Sequence, residues 1–167
     1  MKSIIISILF AMLTANLFAQ KQSFDIVSYT APTDWTLKQG NDNVSYSRID
    51  GASWAQIAIY QHRNCEGDIQ TDFYKDWNEL VAANKTISSP EKTEPKTAEG
   101  WTVMSGSGVW QYNGANVASV LTVYSNNKIC VAVLCNATAQ PYLKNYKDLI
   151  SSLDLDATSV NNTNAST

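Results

Sequence analysis

Three groups of side chains could do chemistry in this sequence. His62 and Cys65 stand three residues apart in His62-Arg63-Asn64-Cys65. An imidazole near a thiol could begin a Cys–His nucleophile pair or half of a zinc site. Zinc would need two further ligands, and the chain has one His and no matching Cys or His pair. Glu66 and Asp68 nearby read as ordinary acids ahead of a helix. Asp72 and Asp76 are four apart, a spacing suited to paired-carboxylate work of the glycosidase type. They flank Lys75 and fall beside an apolar helical stripe, so the expectation is a solvated polar face. Ser105-Gly106-Ser107-Gly108 superficially has the look of a nucleophile elbow, but it lies within a strand and not at a strand-to-helix turn. No phosphate loop and no Ser–His–Asp set appears. The reading is that the chain holds no catalytic, cofactor-binding or metal-binding residue. A hydrolase using His62 is the enzymatic alternative.

The aromatic side chains carry more information. Five Trp and eight Tyr are a heavy load for 167 residues. Trp77 belongs to the core. Trp54, Tyr60, Trp110 and Tyr112 fall on the even-numbered faces of their strands. Left uncovered, they would form a binding face for protein or sugar. The alternative is that a helix covers them.

The three cysteines are Cys65, Cys130 and Cys135. Cys130 and Cys135 lie in one apolar strand, ICVAVLC, about 16 Å apart and on opposite faces. They cannot pair with each other, because a disulfide needs Cα atoms within about 7 Å. Either Cys65 pairs with one of them or all three are free thiols. Cys65–Cys135 is the candidate if the strands ending at His62 and Cys135 run parallel.

The elements that must position these residues follow from periodicity. FDIVSY (24–29) is β-rich, followed by a turn at 31–34 and a short extended piece at 35–38. Residues 44–49 and 54–62 make a hairpin about Asp50-Gly51. Ile69, Phe73, Trp77, Leu80 and Val81 form the apolar stripe of a helix over 68–84, with Asp68 as N-cap. Residues 85–99 read as an exposed loop. A three-strand meander follows over 101–110, 117–124 and 129–135, turning at Asn113-Gly114 and Asn126-Asn127. Gly106 and Gly108 leave one strand face bare where something packs closely or the strand bends. A last helix over 141–154 starts with Pro141 in its first turn. Two amphipathic helices and a doubly buried strand point to an α+β fold, a central mostly antiparallel sheet flanked by helices on both faces.

Composition bounds the rest. Apolar residues at 44% exclude a disordered chain, and 16% charged residues is well under the usual ~25%. A net charge of −3 without a basic block argues against nucleic acid and anionic membrane as partners. Lys2, the apolar run from Ile4 to Leu13 and the exit at Leu17-Phe18-Ala19 have the form of a secretory signal peptide of bacterial type. That run is too short for a membrane span, and no later stretch is long enough. The expected organisation is a signal peptide at 1–19, one domain at 20–156 and a disordered polar tail at 157–167, with the mature chain exported to the periplasm or the exterior.

The segment SFDIVSYTAPTDW, with its Pro32-x-x-Trp35 turn, is similar to the opening strand of the PsbP-like group, and DFYKDWNELV resembles the first helix of secreted relatives of that group. The group takes in the photosystem PsbP subunit, the Ran-binding Mog-type proteins and the bacterial DcrB-like proteins. The resemblance covers residues 23–155. It implies a PsbP-like α/β/α sandwich, no cofactor and a role in binding other proteins, and it assigns no functional residue. The function expected is therefore a secreted, non-enzymatic interaction module whose partner is another protein. A small-ligand carrier, with its cavity between sheet and helix, is the second reading.

Overall fold

A computed structural model describes residues 21–156, so the leader at 1–19 and the tail at 157–167 lie outside the described residues. Strands β1 (Lys21–Phe24) and β2 (Val27–Thr30) form a hairpin, and β12 (Asp154–Leu155) joins β2 to complete a three-stranded sheet. The large sheet runs β3 (Thr36–Gln39), β4 (Asn43–Asp50), β5 (Ser53–Tyr60), β11 (Ile129–Ala137), β10 (Ala115–Ser125), β9 (Trp101–Tyr112) and β7 (Glu91–Lys92). Two short strands sit beside that path, β6 (Arg63–Asn64) on β11 and β8 (Lys96–Ala98) on β9. Every pairing is antiparallel. Helix α1 (Ile69–Asp76) continues into a π-helical turn (Trp77–Ala82), and α2 (Gln140–Ser151) precedes β12.

Local sequence explains these boundaries. Asn113 and Gly114 both adopt positive φ, 49° and 80°, as a two-residue turn between Tyr112 and Ala115 requires. Asp68 accepts the Thr71 backbone N–H at 2.8 Å and caps α1. Pro141 sits in the first turn of α2. The segment expected to be a bare loop at 85–99 instead adds β7 and β8 to the edge of β9. Thr93 fastens it there, its N–H donating to Ser105 O at 2.9 Å and its Oγ1 accepting from Ser105 N–H at 3.1 Å.

The large sheet carries a different core on each face. Ile57, Ile59, Val131, Val133 and Cys135 pack toward α2 and the three-stranded sheet. Leu121, Val123, Ala132 and Leu134 pack toward Phe73, Trp77 and Val81 of α1 and its π turn. Gly106 and Gly108 make that approach possible. A Cβ on Gly106 would stand 2.4 Å from Phe73 Cζ, and one on Gly108 would stand 3.1 Å from Trp77.

The expected helix-flanked α+β sandwich is overturned. The fold is mostly β, with sheets of nine and three strands, and its two short helices and the π turn together make up 19% of it. Strand spacing explains why. Seven strands abreast span roughly 29 Å, whereas α1 with its π turn and α2, of fourteen and twelve residues, are about 20 and 18 Å long. Helices this short cannot plate such a sheet. On the α1 side, part of the sheet beyond the helix is left to its own side chains.

Candidate functional site

The uncovered part is where the predicted aromatics gather. Trp54 starts β5, and Trp110 and Tyr112 end β9, on the α1 side of the sheet. Tyr112 meets Trp54 edge-on at 6.1 Å between centroids and Trp110 at 6.0 Å. A recess of about 310 Å³ lies among the three rings. A wider cleft of about 620 Å³ borders Trp110 and Tyr112, with Asn84, Thr86, Gln111 and Asn116 among its walls. Tyr112 is 51% exposed, and Ile49, paired with Trp54 across the β4–β5 hairpin, is 75% exposed. The cluster is held from beneath. Trp110 Nε1 donates to Ser119 Oγ at 2.9 Å, and Ser119 donates onward to Asn136 Oδ1. Lys85 Nζ stands 4.9 Å from the Trp110 ring centroid and donates to Val81 O, so the end of the π turn clamps the indole.

Tyr60, the fourth aromatic of the predicted face, is not part of this cluster. It lies six residues from Trp54 on the same strand, about 20 Å away. It packs against the α1 core and walls a second cleft of about 280 Å³, shared with Asp42, His62, Asp76, Glu79 and Leu80.

Around this second cleft the carboxylates behave unlike the solvated pair expected. Asp72 and Asp76 are 0% and 4% exposed. Arg63 bridges them, its Nη1 donating to Asp72 Oδ1 at 3.0 Å and its Nε to Asp76 Oδ1 at 2.9 Å. Two more of its five N–H donors reach Asn64 O and Asp72 O. Burial is the main reason the Asp76 carboxyl sits above its usual range, against the lowering effect of Arg63. The Oδ2 atoms of both aspartates are buried without a hydrogen-bond partner. Periodicity places these residues next to the stripe but cannot show that β6 lays an arginine over them. The one cue was their position directly before Phe73 and Trp77.

His62 finds an acid that sequence reading missed. Asp25 Oδ2 lies 2.7 Å from His62 Nδ1 and accepts the His62 backbone N–H at 2.7 Å. Asp25 reaches it from the β1–β2 turn, where its φ is 53°. The imidazole side chain is 24% exposed. Among the described residues the hydrogen-bond partner of its ring is the Asp25 carboxylate.

The disulfide is Cys65–Cys130, with Cα atoms 5.4 Å apart, and not Cys65–Cys135. The reason is strand direction. β5 runs antiparallel to β11 and pairs Ile57 with Cys135, so the chain leaving β5 arrives at the start of β11, where β6 pairs Arg63 with Cys130. Cys135 is a buried free thiol on the other face, pushed up to about 12 by burial. Cys65, Cys130 and Asp72 present ligand atoms within 4.8 Å of one another, but sulfurs bonded to each other offer no thiolate to a metal. The His62–Cys65 pair therefore has no free nucleophile in this structure.

No protein-family model and no curated protein matches the sequence. Solved structures share the fold. One is a protein of Bacteroides thetaiotaomicron VPI-5482, with a TM-score of 0.51 and 15% identity over 78% of this chain. This chain spans only 45% of that protein's length. Another is LpqN of Mycobacterium tuberculosis, involved in cell envelope biogenesis, with a TM-score of 0.52 and 13% identity over 77% of this chain and 82% of LpqN. At these identities the likeness concerns the fold alone. No described helix is long and apolar enough to cross a membrane.

Proposed function

We propose that the protein is an exported, non-enzymatic interaction module of the cell envelope, and that it binds a partner protein through the aromatic end of its large sheet. The observation that carries this reading is the cluster of Trp54, Trp110 and Tyr112. Trp54 and Trp110 are half-buried, while Tyr112 is exposed at the rim and Ile49 is open beside them. Aromatic groups held from below and wet on top are the usual anchors of protein interfaces. Export is supported by the leader and by a disulfide, which persists in oxidising compartments. LpqN's part in envelope biogenesis agrees with that location.

Site-specific photocrosslinking in the native envelope tests the proposal. A photoreactive phenylalanine at Ile49 or Tyr112 should give an adduct of one defined mass, and the same probe at exposed Lys38 should not. Equal labelling at all three positions, or none at the first two, would sink it. Purified protein should also show no turnover of ester, phosphate, peptide or glycoside substrates. Turnover lost in a folded His62→Ala variant would favour the hydrolase instead.

A further inference from the structure

The wider cleft beside Trp110 and Tyr112 runs along a strand edge that the fold leaves open. On its outer side β9 pairs with β8 over residues 101–103 and with β7 at Gly106 and Ser107. Among the described residues no strand pairs with residues 108–112 on that side. The Ser105 N–H and C=O both engage Thr93 on the outer side. Backbone direction alternates along an antiparallel strand, so Val109 and Gln111 point their N–H and C=O groups the same way. The edge is open because the chain before β7 is drawn elsewhere. Ile87 lies on the α1 face, where a Cβ on Gly108 would stand 2.9 Å from its Cδ1. Seating Ile87 there takes the chain out of the plane of the sheet, and Asn84, Lys85 and Thr86 become the far wall of the cleft. Val109 is 56% exposed, and Gln111 is exposed beside it. Lys85 is the charged residue among those that line the cleft, and no acid lines it. Burial lowers the Lys85 ammonium from the ordinary lysine range, so its charge gains from a carboxylate.

We propose that this edge takes an extended, acidic segment of a partner protein as an added antiparallel strand, with its backbone on Val109 and Gln111 and a carboxylate on the Trp110 side near Lys85. This rests on the reading that the aromatic end docks a protein, and it names how the docking is done. Main-chain bonds to a strand edge give affinity in such recognition, and alternate side chains give selectivity. One face of the added strand runs beside Val109, and the other beside Trp110 and Lys85. Charge complementarity selects the segment, since a cation with no acid in its cleft favours carboxylates and disfavours a basic strand. A second copy of this chain, added through the same edge, would set one Lys85 near the other.

NMR of the purified chain tests this with the blocked peptide Val-Glu-Val-Glu-Val, whose valines match the face of Val109 and whose glutamates match the face of Trp110. It should bind saturably, and the Val109 and Gln111 amides should shift and exchange with solvent about tenfold more slowly. N-methylation of the central valine removes an edge bond and should weaken binding about tenfold. Val-Lys-Val-Lys-Val should bind about threefold more weakly at low salt, and Lys85→Gln should abolish that preference. Absence of saturable binding, equal binding of the N-methyl peptide, or equal binding of the basic peptide overturns the proposal. So does protection of the two amides in the free chain that rises with its concentration, which would mark a second copy as the occupant. The Ile49 crosslink judges the docking reading separately. A crosslink without these shifts rejects strand addition alone, and a missing crosslink counts against docking whatever the peptide does.

Discussion

The aromatic end and the charged cleft lie on one face of one sheet, at opposite ends of β5, and they resolve opposite problems. At the aromatic end the Trp110 indole N–H is satisfied from below through Ser119 and Asn136, Trp54 and Trp110 are half-buried, and the Tyr112 ring is left wet. At Arg63, Asp72 and Asp76 the apolar surface is covered by α1, and charges are left dry. Exposed rings cost the folded state little, because they are exposed in the unfolded chain as well. Buried charges hold only while every partner is present. The cleft should therefore dominate stability, and the aromatic end should be nearly invisible to it.

The largest effect tests that contrast directly. Arg63→Ala leaves two buried carboxylates facing each other without a cation. We expect a loss of roughly 3–5 kcal/mol, the usual result of removing one member of a buried charge set. Urea unfolding measures it, and a loss below about 1 kcal/mol would mean that water already reaches the pair. Removing the disulfide with Cys65→Ser and Cys130→Ser should come next. The bond closes a loop with a sequence separation of 65. Chain entropy alone predicts about 4 kcal/mol for such a loop, and ~2–4 is typical in practice. Cys135→Ser, on the other face, serves as the comparison that leaves the loop closed.

These two sites also show where sequence reading stopped. Turns and caps were legible because they are local: Asn113-Gly114, Asp68 and Pro141 act within a few residues of themselves. Gly106 and Gly108 were legible as a bare patch, and Phe73 and Trp77 fill it. The disulfide partner was not, because it depends on whether β5 and β11 run parallel or antiparallel, which no short segment records. Asp72 and Asp76 defeated periodicity in another way. A helical wheel gives an angle from the stripe, not what crosses above it, and Arg63 arrives from β6. Strand parity placed Trp54, Trp110 and Tyr112 on one face correctly. It also swept in Tyr60, since parity fixes the face and says nothing of distance along the strand. The helix-flanked sandwich was an error of extent, with helices that exist but are too short to plate the sheet.

A smaller effect sharpens the cleft side of the comparison through pH. Burial raises the Asp76 carboxyl in the folded chain, so it holds a proton more readily there than when unfolded. Above its raised value the group subtracts stability. That subtraction fades as pH falls through the raised value toward the ordinary 3.8. Asp76→Asn removes this titration. The stability gap between wild type and variant should thus move in favour of wild type on acidification from neutral pH, read by urea unfolding at a series of pH values. A gap that moves the other way would show that Arg63 outweighs burial.

The smallest expected effect belongs to the aromatic end. Tyr112 is half exposed, makes edge contacts to two rings and has no hydrogen bond among those that hold Trp110 in place. Tyr112→Ser should change stability by no more than about 0.5 kcal/mol, in the range of ordinary surface substitutions. Trp110→Ala should cost more, since it strands Ser119 and removes the surface under Lys85. The informative case is therefore Tyr112, where stability and recognition separate. If the rings exist for a partner, Tyr112→Ser should abolish the crosslink from Ile49 while the unfolding curve stays in place. If instead the curve shifts by more than about 1 kcal/mol, the ring is a structural cover for Val117 and the sheet beneath, and the comparison between a stabilising cleft and a recognising end fails at its second half.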